Sequence, residues 1–339
     1  MMLIRKILFP FSAIYALVTG LRNYFYDKGW FKSTAFDIPV VAVGNLSVGG
    51  TGKSPQIEYL LRLLSPTYKV ATLSRGYKRK SSGFVLADAN SDAEILGDEP
   101  FQFHQKFPGV SVAVDADRTN GIQNLIKHVN PDVILLDDAF QHRKVKAGFY
   151  ILLTTFSDLY LDDFVLPTGN LRESRRGAKR ADVIIVTKCP KDLSEKDQDA
   201  ILLKMRLKPH QQLFFSFIDY DDFVFSDQGN LPTDQIRKQP KLLIAGIAKP
   251  KPFFGHLKSQ NDDILEFPDH HHFSASDLSK ISEKADGKPI VTTEKDYVRL
   301  QKSGLSNLYF LPIKSTFISN RDSFDQTILD YVGKSSGNR

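Results

Sequence analysis

The sequence has little cysteine and no long apolar run. Its 339 residues include one cysteine, Cys189, which excludes an internal disulfide framework and is typical of a reducing compartment. We interpret Cys189 as a small core residue beside the strand DVIIVTK rather than as a catalytic thiol. No apolar stretch reaches the roughly 20 residues needed to span a bilayer, so the sequence predicts no membrane-crossing helix.

The charge balance also lacks a strong excess of either sign. Lysine and arginine total 45 against 39 acidic residues, a formal net charge of +6, which does not by itself indicate nucleic acid. The 25 phenylalanines lack the paired aromatic and basic spacing of a single-strand-binding sheet. We therefore predict no nucleic-acid partner, and nothing in the pattern indicates an obligate protein partner.

The N-terminal segment is the part of the chain whose composition indicates association with a membrane. Residues 7–21, ILFPFSAIYALVTGL, carry no charge and are flanked by basic residues. Apolar side chains recur there at helical spacing, which predicts an amphipathic helix within residues 1–30. It could be an in-plane membrane anchor, a signal peptide or a helix packed on the protein. The glycine-rich loop that follows at residues 47–55 would need a cytoplasmic nucleotide, which argues against the signal peptide and leaves the other two open.

Strand and helix patterns alternate from Ile38 onward. The strand candidates are nearly continuous runs of β-branched residues and leucine, as is typical of buried parallel strands. The pattern predicts an α/β fold, a P-loop NTPase-like, doubly wound and mostly parallel sheet over residues 31–210, in which the segment GFVLAD forms a short side strand. The elements become shorter after Pro209, which predicts a second, smaller α/β domain over residues 211–339.

The stretch SVGGTGKSP, residues 47–55, lies between the strand IPVVAV and a helix predicted from Lys53 to about Leu64. Backbone N–H groups and the positive end of the helix dipole converge at such a loop, which suits the phosphates of ATP. Lys53 can reach the β- and γ-phosphates, and the Ser54 hydroxyl is placed for Mg²⁺. Ser47 replaces the usual first glycine, which requires a negative φ there. The predicted nucleotide-binding residues are Gly49, Gly50, Thr51, Gly52, Lys53 and Ser54.

A second source of metal ligands follows the strand DVILLDD. Asp137 and Asp138 stand at its carboxyl end, the edge where ligands of parallel sheets bind. We predict that one of them holds Mg²⁺ or its bound water and that the other supports it.

Further motifs follow one another along the chain: SRGYKRKSSG, GDEP, DADRTNG, LLDDAFQHR, LPTGNLRES, FPDHHHF and TTEKDYVRL. With GNLSVGGTGKSP they resemble the tetraacyldisaccharide 4′-kinases, the lipid A kinases of Gram-negative bacteria, over essentially the whole chain. One departure is Ala139, where the family motif is expected to have glycine. The resemblance implies transfer of the ATP γ-phosphate to the 4′-hydroxyl of a lipid A disaccharide precursor. It also implies a peripheral location at the cytoplasmic face of the inner membrane.

The resemblance also implies roles for particular side chains. A sugar hydroxyl needs a base as the phosphoryl group arrives, and Asp98 is the predicted base, with His270 pairing with it and Glu99 helping. Because Lys53 and His270 fall in different predicted domains, the site should lie in the cleft between them. The predicted acceptor-binding residues are Arg75, Arg118, His142 and Arg172 for phosphate charge, and Asn170 and Gln141 for sugar hydroxyls. Each of these arginines could instead form a salt bridge at the surface.

Two other classes share the glycine-rich loop. A membrane-associated partitioning-type ATPase carries a lysine where this chain has Val48. A P-loop GTP switch or metallochaperone would read guanine with a motif similar to TKCP, but TKCP lacks the aspartate of that motif. We therefore interpret Thr187 and Lys188 as strand-end residues. We reject a zinc site at DHHHF, because consecutive side chains rarely turn toward one metal. The last two histidines there are predicted to lead into a helix whose N-cap is Ser274 or Ser276.

Overall fold

Within residues 7–269 and 271–336, which the computed structural model describes, the larger of two sheets has nine strands. Its spatial order is β15-β8-β7-β6-β1-β5-β2-β4-β3, and only the two edge pairings, β15 with β8 and β3 with β4, are antiparallel. The predicted mostly parallel sheet and its short side strand β3 are confirmed. The strands are β1 (Val40–Asn45), β2 (Val70–Ser74), β3 (Val85–Leu86), β4 (Ser111–Val114), β5 (Val133–Asp137), β6 (Phe149–Thr155), β7 (Val183–Thr187), β8 (Gln212–Tyr220) and β15 (Ile313–Phe317).

Helices cover both faces of this sheet. Successive residues of β1 are buried on opposite faces, Val41 in one apolar cluster and Val40 in another, as alternation along a strand requires. This is the predicted doubly wound arrangement, and the predicted helix from Lys53 to Leu64 is confirmed. The helices outside the second sheet are α1 (Phe9–Asp27), α2 (Lys53–Leu64), α3 (Ala93–Leu96), α4 (Asp98–Lys106), α5 (Arg118–His128), α6 (Glu195–Met205) and α11 (Arg321–Ser336).

The second sheet has six strands among the described residues, in the order β10-β9-β14-β13-β11-β12. Its four strands β11 to β14 pair in parallel, and β9 and β10 add an antiparallel edge. The strands and helices of this unit are β9 (Phe223–Ser226), β10 (Gly229–Pro232), α7 (Thr233–Lys238), β11 (Leu242–Ala245), α8 (Lys251–Leu257), β12 (Asp263–Glu266), α9 (Ala275–Ala285), β13 (Ile290–Thr293), α10 (Glu294–Leu300) and β14 (Leu308–Leu311).

The chain passes between the sheets at a different place from the predicted residue 210. Strand β8 still belongs to the nine-stranded sheet, and the chain enters the other sheet with β9. It returns after β14, because β15 pairs with β8 and α11 packs in the core of the larger unit. The shortening of elements after Pro209 therefore does not mark where the chain leaves the first sheet. We call residues 223–311 the inserted unit.

Helix α1 contacts the protein through its polar side and exposes its apolar side. The Ser12 hydroxyl donates to Thr168 Oγ1 at 2.7 Å, the Tyr15 hydroxyl to the Arg172 carbonyl at 2.9 Å, and Asn23 to a Glu173 carboxylate oxygen at 2.6 Å. The side chains on the opposite side are about half or more exposed, from 47% for Leu21 to 62% for Phe11, so the helix is packed on the protein yet presents an apolar stripe to the outside. No described helix is long and apolar enough to cross a membrane. The exposed residues are Phe9, Phe11, Ile14, Leu17, Val18 and Leu21.

Two smaller predictions are also confirmed. Cys189 is buried in an apolar cluster, and burial raises the pKa of its thiol to about 12, as expected of an unreactive core cysteine. Ser274 caps α9 in a reciprocal capping box with Asp277. His271 lies beside this cap, 3.0 Å from the Asp277 carboxylate.

Candidate active site

The predicted phosphate loop lies between β1 and α2. Gly49 and Gly52 have φ values of 111° and 88°, a region that favours glycine, whereas Ser47 has the negative φ that its side chain requires. Gly52 is the N-cap of α2, so Lys53 and Ser54 open the helix. The Lys53 ammonium lies 3.4 Å from Asn45 Oδ1 and 3.7 Å from Asp138 Oδ1.

The end of β7 holds this loop in place. The Thr187 hydroxyl donates to the Thr51 carbonyl at 2.7 Å, and the Lys188 ammonium donates to the Gly50 carbonyl at 2.8 Å. Thr187 and Lys188 are strand-end residues, as interpreted from the sequence, and they also fix the backbone of the loop. The buried Thr51 hydroxyl itself makes no hydrogen bond within the described residues, which leaves it available to a nucleotide.

The two aspartates after β5 differ in environment. Burial, followed by the charge of Glu99, raises the pKa of Asp137 to about 7. One of its oxygens accepts a hydrogen bond from Ser74 at 3.3 Å, and the other is buried without a partner in the described part of the chain. Burial alone would raise the pKa of Asp138, but Lys53 and Arg172 outweigh it and the pKa is lowered.

These residues fit a divalent cation that also binds phosphate. Mg²⁺ prefers oxygen ligands and usually takes only one or two carboxylates plus water and phosphate oxygens. The orphaned buried oxygen of Asp137 is a ligand of this kind, and Ser54 opens the helix at the loop, near enough to Glu99 to help lower the pKa of that carboxyl. Among the described residues no three acidic, histidine or cysteine side chains form a metal cage of their own. The site thus suits a metal that arrives with a nucleotide.

Asp98 and Glu99 begin α4, and both contact the inserted unit. Arg299 of α10 donates from Nε to Asp98 Oδ2 at 3.1 Å and also from Nη2. Lys295, one turn earlier, forms an ion pair with Glu99. Burial would raise the pKa of Glu99, but the charges of Lys295 and Lys53 lower it. His270, the predicted partner of Asp98, lies outside the described residues.

Asn45, at the end of β1, joins several of the predicted acceptor residues. Its side-chain oxygen accepts from Lys53 and from Arg172, and its carbonyl accepts from Gln141 at 2.9 Å. Arg172 also forms an ion pair with Asp138 at 2.8 Å. These side chains therefore surround the loop lysine and form one polar network with it.

The remaining predicted acceptor residues lie around this network. Arg118 is buried and donates to the Asp115 and Asp137 carbonyls at 2.6 and 3.2 Å, and burial lowers its pKa. Burial and then the charge of Arg118 lower the pKa of His142 to about 4, so this imidazole is neutral at neutral pH. Arg75 is exposed.

Asn170 contacts the loop through its backbone. Its carbonyl accepts from the Val48 N–H at 2.7 Å, and its own N–H donates to Asp163 Oδ2 at 3.0 Å.

Sequence reasoning missed four residues that the structure brings to this site. They are Asn45, Lys188, Lys295 and Arg299. Lys295 and Arg299 stand in TTEKDYVRL, a motif that carried the resemblance without an assigned role. The sequence did contain one signal for them. Lys295 and Arg299 are four positions apart on a short helix, so both positive charges lie on the same helix face.

A family model identifies the chain. The model for LpxK, tetraacyldisaccharide-1-P 4′-kinase, matches residues 4–333. The chain belongs to the tetraacyldisaccharide-1-P 4′-kinase family. This confirms the resemblance seen in the motifs. Membership of a kinase family also decides against the partitioning ATPase and the GTP switch as alternatives.

Named relatives and a solved structure agree with the tetraacyldisaccharide-1-P 4′-kinase family. A tetraacyldisaccharide 4′-kinase of Flavobacterium johnsoniae is 66% identical over 334 residues, covering 98% of each chain. One of Bacteroides thetaiotaomicron is 45% identical over 361 aligned residues, covering 99% of this chain and 95% of the relative. The crystal structure of "apo" form LpxK from Aquifex aeolicus in complex with ATP has a TM-score of 0.80 at 30% identity, covering 97% of this chain and 99% of that one. The P-loop NTPase-like fold is thereby confirmed.

Proposed function

We propose that this chain transfers the γ-phosphate of ATP to the 4′-hydroxyl of a tetraacyldisaccharide 1-phosphate and so produces the 4′-phosphorylated lipid. The main observation in support is that the phosphate loop lies close to the carboxylates that begin α4. Burial would raise the pKa of Glu99 at the start of this helix, but Lys295 and then Lys53 and Ser54 of the loop lie close enough to lower it. Asp98 is the neighbouring residue, so a carboxylate that could act as a base stands beside the place where ATP would end.

The loop residues bind the triphosphate. The backbone amides of residues 49–54 and the N-terminus of α2 attract phosphate oxygens. Lys53, now held by Asn45 and Asp138, turns to the β- and γ-phosphates when ATP is present and stabilises the charge that develops during transfer.

Mg²⁺ fits beside these residues. Ser54, Asp137 and Glu99 would hold it together with phosphate oxygens, and Asp138 supports the group through Lys53 and Arg172. When bound, the cation neutralises charge on the transferred phosphoryl group. Asp137 must give up the proton that its raised pKa allows it to keep near neutral pH, because a metal ligand is deprotonated.

Asp98 accepts the proton of the acceptor. The 4′-oxygen forms a bond to the γ-phosphorus, the bond from that phosphorus to the bridging oxygen of ADP breaks, and the hydroxyl proton moves to the Asp98 carboxylate. His270 pairs with Asp98 in this proposal. Arg118 and Arg172 suit the phosphate charge because a guanidinium donates in a planar fork, and Arg75 at the surface meets the phosphate on the acceptor. Gln141 and Asn170 meet the sugar hydroxyls. His142, predicted from the sequence to meet phosphate charge, would also meet a hydroxyl, because its imidazole is neutral.

The acceptor reaches the site from a membrane surface, the cytoplasmic face of the inner membrane. The apolar stripe of α1 lies in the interface plane, which an amphipathic helix of this kind favours. Arg172 connects the two regions, because its carbonyl accepts from Tyr15 of α1 while its side chain contacts Asn45 and Asp138. A lipid held at α1 therefore has its headgroup near the phosphate loop.

The activity is tested by incubating the protein with γ-labelled ATP and either a tetraacyldisaccharide 1-phosphate or no acceptor. We expect label on the lipid, and we expect Asp98→Asn to slow that transfer about 10²-fold while ATP binding is retained. Asp192→Asn, at an exposed carboxylate, is the matched control. Label only on free phosphate would make the chain an ATPase and contradict the proposal, and an Asp98→Asn variant as fast as the parent would remove Asp98 as the base.

Membrane association is tested by sedimentation with phosphatidylglycerol vesicles. Leu17→Glu and Val18→Glu change side chains that are 61% and 59% exposed, so the fold should tolerate them. Each should lower vesicle binding about tenfold or more, because burial of such a side chain is worth roughly 2 kcal/mol. Leu203→Glu, at a residue of α6 that is 78% exposed, is the control. Vesicle binding that is equal in all four proteins would contradict a membrane role for α1.

A further inference from the structure

Arg299 has no role in the mechanism above, although it contacts the carboxylate proposed as the base. Its Nε and Nη2 groups both donate to the same oxygen of Asp98, Oδ2. The Arg299 side chain is 10% exposed and the Asp98 side chain 29% exposed, so the pair is largely shielded from solvent. Two N–H groups of one planar guanidinium, both charge-assisted donors to the same oxygen, hold that oxygen in the plane of the guanidinium.

Arg299 is itself held from behind. Its Nη1 donates to Asp296 Oδ1 at 3.1 Å, and Asp296 is fully buried. The other oxygen of Asp296 accepts from the Gly246 N–H at 2.8 Å and from the Thr293 hydroxyl at 2.7 Å. Gly246 follows β11 and Thr293 ends β13, so the position of Arg299 is fixed by the sheet of the inserted unit.

Asp98, in contrast, belongs to the larger unit. It begins α4, which packs against the nine-stranded sheet through Phe103. Residues 98 and 299 are 201 positions apart, and their contact exists only while the inserted unit is docked against α4. The orientation of the base and the docking of the unit are therefore coupled through one side chain.

We propose that Arg299 is a positioning residue for phosphoryl transfer, which holds Asp98 in its reactive orientation from the inserted unit. The inference depends on the proposed role of Asp98. It assigns to Arg299 no contact with ATP or with the acceptor. Loss of the guanidinium should therefore lower kcat and leave the KM for ATP unchanged.

The test compares Arg299→Met with Lys106→Met. Lys106 bridges the same two helices, because it contacts Glu294 of α10 at 2.8 Å and Glu58 of α2 at 2.7 Å, but it does not contact Asp98. We expect Arg299→Met to lower kcat about tenfold to a hundredfold, since small misplacements of a reacting group cost this much. Arg299→Lys should fall between that variant and the parent. The kcat of folded Lys106→Met should stay within about threefold of the parent, because Lys106 does not contact Asp98 and its loss acts on stability through the buried Glu58 and Glu294. Equal losses of kcat in Arg299→Met and Lys106→Met would overturn the inference, because a general weakening of docking would explain both.

A double variant separates this inference from the proposed function. If Arg299 acts through Asp98, then Arg299→Met should not slow the Asp98→Asn protein further. If Arg299→Met lowered the kcat of Asp98→Asn by the same factor as it lowers that of the parent, the inference would be overturned, although Asp98 would still be the base. Parental activity of Asp98→Asn alone would instead overturn the proposed function. Melting temperatures and ATP binding by calorimetry identify any variant that fails to fold.

Discussion

The two units contribute to the active site in different ways. Lys53, Ser54 and Asp137 stand at or just after the ends of strands in the nine-stranded sheet, and buried hydrogen bonds such as that of Thr187 to the loop hold this edge. The inserted unit instead reaches the site through charged side chains of α10, Lys295 and Arg299, across to α4. Strand ends and local polar contacts build the first half of the site, whereas ion pairs between the two units bring in the second.

This difference has a physical consequence for how each half responds to change. Buried hydrogen bonds are little affected by salt, whereas partly exposed ion pairs are screened and contribute little individually. The phosphate loop should therefore be preformed. The docking of the inserted unit combines these ion pairs with the apolar packing of Val298 against Leu96 and Phe101, so its charged part should be the more sensitive of the two halves to salt.

The largest expected effect comes from the loop lysine. Lys53→Ala should reduce phosphoryl transfer about 10³-fold or more, because the ammonium that stabilises the β- and γ-phosphates is lost. Transfer of label to the lipid acceptor measures this, with Lys196→Ala at an exposed position of α6 as the control. Transfer by Lys53→Ala within tenfold of the parent would show that the preformed half of the site does not hold the reacting phosphate.

A smaller effect, on the free energy of unfolding, compares how tightly the two units are packed at one glycine each. A methyl group at Gly44 of β1 would lie 2.6 Å from the Phe140 Cβ and 2.9 Å from its backbone nitrogen, so Gly44→Ala should lower the free energy of unfolding by about 1–3 kcal/mol. Gly255 of α8 has nothing within 4 Å of the added methyl, and Gly255→Ala should raise it by about 0.5–1 kcal/mol.

Denaturant unfolding of the two glycine variants measures both values. ATP binding should also weaken in Gly44→Ala, since β1 leads into the phosphate loop. If both variants were destabilised equally, the larger unit would not be more tightly packed at Gly44 than the inserted unit is at Gly255.

The smallest effect concerns pH and the contact between the units. Burial, and then the charge of Glu58, raises the pKa of Glu294 to about 7 from an ordinary value of 4.5. The folded protein keeps this proton where the unfolded chain has lost it, so the stabilisation is complete below pH 4.5 and is lost as the pH rises through about 7.

Glu294→Gln tests this, because the amide stays neutral. The stability of the parent relative to this variant should fall by about 1 kcal/mol or more between pH 5 and pH 8. Asp137, whose pKa is also raised to about 7, is present in both proteins and cancels in the comparison. Parallel stability curves would show that Glu294 does not titrate between these values.

Much of the fold could be predicted from local patterns. The helix from Lys53 to Leu64 and the strands that flank the phosphate loop follow from apolar runs and glycines that lie close together in the chain. The passage of the chain between the sheets could not be predicted in this way. Strands β8 and β15 pair across 93 or more positions, the fewest being between Tyr220 and Ile313, and periodicity contains no information about such partners.

The sequence by itself determined the loop, its lysine and serine, and the aspartates at the next strand end, because backbone geometry places residues at the ends of parallel strands on one edge. Only the tertiary structure decided that Asn45 gathers Lys53 and Arg172, and that the polar side of α1 faces the protein. The same holds for the contact of Arg299 with Asp98. These are side-chain contacts between distant segments. Their distances depend on packing within the larger unit for Asn45 and α1, and on packing between the two units for Arg299.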